Sequence, residues 1–95
     1  MACEVLARQL LRSATSIGAN MKEADGASSR KDFVNKVTIA KKEAQETEYW
    51  LEVLQGADFI HHPENNKELV ALLTESQEIT RILASIILKA KKGLD

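Results

Sequence analysis

The chain predicts an all-α protein, an antiparallel up-down helical bundle with three helices in one domain, over about residues 3–24, 29–55 and 65–92. Three observations carry this. One Pro and four Gly in 95 residues leave few places to interrupt a helix. Apolar residues recur at steps of three and four through three long stretches. Those stretches are separated only by short breaks near residues 25–28 and 57–64. A content of 44% hydrophobic and 28% charged residues is that of a folded soluble chain rather than a disordered one.

The first helix carries Leu6, Leu10, Ala14, Ile17 and Met21 as its apolar stripe. Ala7, Leu11, Ala14 and Gly18 lie beside that stripe, so much of the face is small and another helix can come close. Asp25-Gly26-Ala27-Ser28 breaks the period as a turn. The second helix has Ser29 and Asp32 at capping-box spacing before it, and Gly56 after it, where a left-handed turn is expected. At about 1.5 Å per residue it is roughly 40 Å long. Phe33, Val37, Ala40, Ala44, Thr47, Leu51 and Leu54 form its inner stripe. His62-Pro63 marks the next break, because the residue before a proline avoids the helical region. The third helix is expected to start near Asn65 or Asn66, with Asn65 and Glu68 at cap spacing. Leu69, Leu72, Ser76, Ile79, Leu83, Ile86 and Ala90 give it a heptad-like seam. From Ile82 to Leu88 it is apolar nearly all round. One chain of three helices covers only part of such a surface, so Ile82, Ile86, Ile87 and Leu88 are expected at a contact between subunits.

The second helix is basic in its first half (Arg30, Lys31, Lys36, Lys41, Lys42) and acidic in its second (Glu43, Glu46, Glu48, Glu52). That order opposes the helix macrodipole. A neighbour running the other way offsets the cost. With the turn near residue 27, Arg12 faces the neighbourhood of Glu43, Arg8 faces Glu46 and Glu23 faces Lys31. Arg12 is therefore expected to pair with Glu43 or Glu46.

Composition excludes several function classes. A net charge of −1 argues against a dedicated electrostatic binder of nucleic acid, although Lys36, Lys41 and Lys42 are candidates for phosphate contact. Cys3 is the single cysteine, so no internal disulfide forms and a reducing cytoplasm is expected. The longest apolar run is far short of the roughly 20 residues that cross a bilayer, so no membrane partner is expected. No catalytic constellation, metal set or cofactor loop is present. His61 and His62 are adjacent rather than four apart on one helical face, and no Glu-x-x-His accompanies Glu43 and Glu46. Tyr49 and Trp50 suit a core or an interface better than a stacking platform.

The stretch Arg12-Ser13-Ala14-Thr15-Ser16-Ile17-Gly18-Ala19-Asn20 goes beyond periodicity. Glu23, Ser28, Lys31-Asp32-Phe33, Ile39-Ala40, Glu43-Ala44, Glu46-Thr47 and Trp50-Leu51 follow it. Together they resemble the bacterial four-helix bundle family, also called the ribosomal RNA intervening-sequence protein family. The resemblance implies an all-helical oligomer, often a ring of five, with no known enzymatic activity. It also implies a relative, an accessory protein of diversity-generating retroelements, that binds nucleic acid through a basic surface. The family's arginine and asparagine fall on Arg12 and Asn20, and its acids on Glu23, Glu43 and Glu46, all assigned to structure. Asn20-Met21-Lys22-Glu23-Ala24 departs from the family's Asn-Ile-Ala-Glu-Gly, which moves the turn. The family usually opens with another helix, and this chain is expected to start inside the second, either because its start is truncated or because this member has three helices. The missing helix leaves an apolar groove, which a neighbouring subunit is expected to fill with its third helix.

Overall fold

The computed structural model describes residues 2–56 and 63–93, with side chains for 4–56 and 65–93. It contains three helices, α1 (Ala2–Asp25), α2 (Arg30–Gln55) and α3 (Pro63–Lys92). His61 and His62 and the Cys3 side chain lie outside what is described. None of the helices is long and apolar enough to cross a membrane.

Each helix end has a local cause. At the end of α1 the Gly26 and Ala27 N–H groups donate to the Glu23 and Ala24 carbonyls, both at 3.1 Å, tightening the last turn. Ser29 is extended (φ −155°, ψ 166°), and its hydroxyl accepts from the Asp32 N–H at 3.0 Å. Asp32 reaches back to the Ser28 N–H at 3.4 Å, one residue earlier than a capping box requires. Gly56 is not left-handed. At φ −84° and ψ −2° it closes the helix in the right-handed region, with its N–H on the Glu52 carbonyl. The third helix starts at Pro63, ahead of Asn65. Proline suits the first helical position, since the N–H it lacks would have no partner there.

α2 is the central element. α1 packs on one side of it and α3 on the other, while no Cα of α1 comes within 8 Å of one in α3 among the described residues. Both packings are antiparallel. Residues 12 and 13, midway along α1, meet residues 43 and 47 of α2, whereas residue 23, near the end of α1, meets residue 36, so the later part of α1 lies against the earlier part of α2. Gln77 of α3 meets Glu48, while Ala90 lies near Phe33. The Cα envelope measures 50 × 22 × 14 Å. A width of 22 Å is what three helices side by side need at a spacing of about 9 Å. The result is a shallow trough with α2 as its floor.

Buried residues of α2 are Val34, Val37, Ala40, Ala44, Thr47 and Leu51. Val34 joins a stripe otherwise expected from the spacing, and Phe33 and Leu54 are only half-buried at its edges. The apolar core lies at the end holding the α1–α2 turn. There Ala24, Val37, Ala40, Ala44, Leu83 and Ile87 form one cluster, flanked by Ile17, Met21, Phe33, Ile86 and Ala90. This corrects the expectation for Ile87. It is 8% exposed and packs inward within its own chain, because it follows Leu83 by four residues on the face toward α2. Ile86 is half-buried at the rim of the same cluster. Ile82 and Leu88 are open, at 58% and 63% exposure. They do not share a face, since the six residues from Ile82 to Leu88 leave them about 120° apart around the helix.

Candidate functional site

A groove of about 650 Å³ runs between α1 and α3 over the half of the trough away from the turn. Its floor is Thr47, Leu51 and Leu54. Leu72, Ser76 and Ile79 line the α3 wall, and Ala7, Leu10, Leu11, Ala14 and Gly18 the α1 wall. Glu75 is the sole charged residue in the lining. Leu11 is 66% exposed, and Leu72 and Ile79 are also open. A Cβ placed on Gly18 would meet nothing within 4 Å. The α1 wall is therefore built from small residues and has free space in front of it. That is the surface another helix needs for close approach.

Under the groove the helices are joined by a hydroxyl pair. The Ser13 side chain is fully buried and donates to the Leu10 carbonyl at 3.1 Å. Thr47 Oγ1 lies 2.9 Å from Ser13 Oγ and 2.8 Å from the Glu43 carbonyl. A hydroxyl has one proton. With Ser13 donating to Leu10, the consistent assignment has Thr47 donating across to Ser13. Ser13 has no periodic signature, because it is a polar residue beside the apolar stripe of α1. The signal available was its place opposite Thr47, the one polar residue of the α2 stripe.

On the other side of the α1–α2 seam Arg12 sits between Glu43, at 3.4 Å, and Glu46. Gln9 also accepts from Arg12 Nε, at 3.5 Å. Glu46 Oε2 is buried and accepts no other bond among the described residues. Glu23 meets Lys36 at 3.7 Å, not Lys31, and Glu46 is taken by Arg12, not Arg8. The register is offset because side chains lean toward the N-terminus of their own helix. In an antiparallel pair the two leans add, so partners sit later in sequence than their backbones suggest. Asn20 donates to the Ser16 carbonyl of its own helix at 2.9 Å. Arg12→Ala is expected to cost about 1–2 kcal/mol in urea unfolding, since it strands the Glu46 oxygen beside a second carboxylate. Adding Glu46→Gln to that variant should recover most of the loss. A cost below about 0.3 kcal/mol for the single change would show that the seam does not need the ion pair.

The candidate phosphate-contacting lysines do not form a patch. Lys36 is engaged by Glu23, Lys41 is half-buried and Lys42 is exposed. Cations gather instead at the turn end. Arg30 and Lys89 flank one shallow hollow, with Phe33, Ile86 and Ala90, while Lys31 and Lys91 flank another. Among the described residues no group of three His, Cys, Asp or Glu side chains is placed to hold a metal ion.

No curated protein matches the chain. A crystal structure of a protein of unknown function from the S23 ribosomal protein family of Bacteroides thetaiotaomicron is similar to it, with 51% identity and a TM-score of 0.75. The likeness covers 87% of this chain and 73% of that one. The family model described as 23S rRNA-intervening sequence protein matches residues 3–85. With the motif, the three helices and this match in agreement, the chain belongs to the 23S rRNA-intervening sequence protein family.

Proposed function

We propose that this protein is a non-enzymatic helical scaffold that works as a homo-oligomer in a reducing cytoplasm. The observation that carries the reading is the open trough. A chain of 95 residues has a thin stability margin, and here an apolar groove along half of the trough is uncovered. Water against Leu11, Leu72, Ile79 and Ile82 is a standing cost that association removes, at about 25 cal/mol per Å² of apolar surface covered. The single cysteine fits the compartment, since it forms no internal disulfide. Light scattering on the purified chain at micromolar concentration should return a multiple of 10.5 kDa. The mass of one chain would sink the proposal.

The grouping of Arg30, Lys31, Lys89 and Lys91 at one end favours a second reading, an accessory factor that binds RNA or DNA. Copies arranged in a ring with parallel axes would present these cations on one face. Binding should then fall steeply as salt rises, because each phosphate contact releases counterions. Charge reversal at Lys31 and Lys91 should flatten that slope. Retention of no RNA or DNA at low salt would remove this reading and leave the scaffold.

A further inference from the structure

Of the two hollows at the turn end, one has an aromatic wall. It holds about 530 Å³, and Phe33, Ile86 and Ala90 form its apolar part between Arg30 and Lys89. Neither cation has an ion-pair partner among the described residues. The acids of this end, Asp25 and Asp32, do not line the hollow, and Asp32 is drawn to the Ser28 N–H. Phe33 is half-buried. It packs against the core cluster and still reaches the hollow. Arg30 owes its place to a glycine. Gly93 closes α3 with its N–H on the Ala90 carbonyl at 3.2 Å, and a Cβ there would collide with the Arg30 guanidinium. The bare end of α3 is therefore what lets Arg30 lie across it.

We propose that this hollow seats one unpaired base of a nucleic-acid strand, the base against Phe33 and the flanking phosphates on Arg30 and Lys89. This rests on the reading that the cationic end binds RNA or DNA, and it adds the contact residues and the form of nucleic acid. Chemistry selects the ligand. Two free cations on either side of an apolar wall with a ring in it suit a molecule that is anionic at its edges and flat at its centre. An unpaired strand repeats that unit, and every base has a π face, so the seat reads no sequence. A duplex does not offer it, because its bases are stacked on one another and its phosphates alone meet the cations. Size agrees. Small-ligand sites run from about 300 to 1,000 Å³, so the hollow takes one base rather than a run of them. Gly93 adds preorganisation, since a guanidinium already in place loses less freedom when phosphate arrives.

The test is fluorescence anisotropy on the full chain at low salt, with a labelled oligothymidylate of ten nucleotides and an abasic strand of the same length and charge. The oligothymidylate is expected to bind about tenfold more tightly, the worth of one stacked base. Phe33→Leu keeps apolar bulk against the core, with helicity checked by circular dichroism. It should bring the oligothymidylate down to the abasic strand, leave the abasic strand where it was and leave the salt slope unchanged, since no phosphate contact is lost. Gly93→Ala alters no charge and displaces only the tip of a flexible side chain, so the fold stays and Arg30 moves. It should weaken both strands about threefold, as loss of a phosphate contact does. Equal binding of the two strands by the parent, or Phe33→Leu weakening both alike, would overturn the base seat and leave nucleic-acid binding standing. Displacement of the oligothymidylate by an equimolar amount of thymidine monophosphate would make a free nucleotide the ligand and overturn the strand. No binding of either strand would overturn the seat and the reading beneath it together.

Discussion

Ala44→Leu is expected to cost about 2–3 kcal/mol of stability, a large share of the roughly 5 kcal/mol that a chain of this size has to lose. Ala44 and Ala40 are fully buried in the middle of α2, and both lie in the cluster that joins α1 to α3 through α2. The central helix must be approached from two sides at once, and small residues allow both neighbours to come near. Three added carbon atoms have no void to enter. They force off-rotamer side chains or push a helix outward. Gln45→Leu, one residue on, adds apolar bulk on the exposed side of the same helix and should stay within about 0.5 kcal/mol of the parent. Both belong in urea titrations at one fixed protein concentration, because association adds to apparent stability. Equal midpoints for the two variants would show that α2 is not the tightly held centre.

The α2 stripe was legible because 3.6-residue spacing and burial coincide there. Val37, Ala40, Ala44, Thr47 and Leu51 are at once the periodic residues and the buried ones. On α3 the same method could not divide the surface. Between Ile82 and Leu88 nearly every residue is apolar, so periodicity does not say which faces inward. Packing against α2 selects Leu83 and Ile87 and leaves Ile82 and Leu88 on separate open faces. On α1 the stripe of Leu6, Leu10, Ala14, Ile17 and Met21 was displaced to one side, because the fully buried position is Ser13. A polar residue is ranked outward by pattern alone, and its partner Thr47 is 34 residues away in sequence. The displacement matters for the site. Leu10 and Ala14 line the groove, and Ile17 both lines it and flanks the core, so residues readable as core are in part left for a partner.

Leu11→Glu with Ile79→Glu is expected to dissociate the assembly by more than 100-fold while leaving the single chain folded. The two side chains stand on opposite walls of the groove and are exposed within their own chain, so an added carboxylate there meets water when the chain is alone. Once a second copy covers the groove, two charges would be buried without partners. Each costs several kcal/mol unless it takes up a proton, and about 2.7 kcal/mol in total already gives the hundredfold change. Net charge changes by −2, which by itself disfavours association. Val70→Glu with Leu88→Glu carries the same added charge and removes similarly exposed apolar side chains, yet neither residue lines the groove. Each lies nine residues from Ile79 and so half a turn away around α3. If both double variants lose mass equally in light scattering, the cause is general repulsion. If the second pair alone dissociates, the contact lies on the outer face of α3 and the groove is not what the partner covers. Loss confined to the first pair, with helicity retained, is the result that the open trough requires.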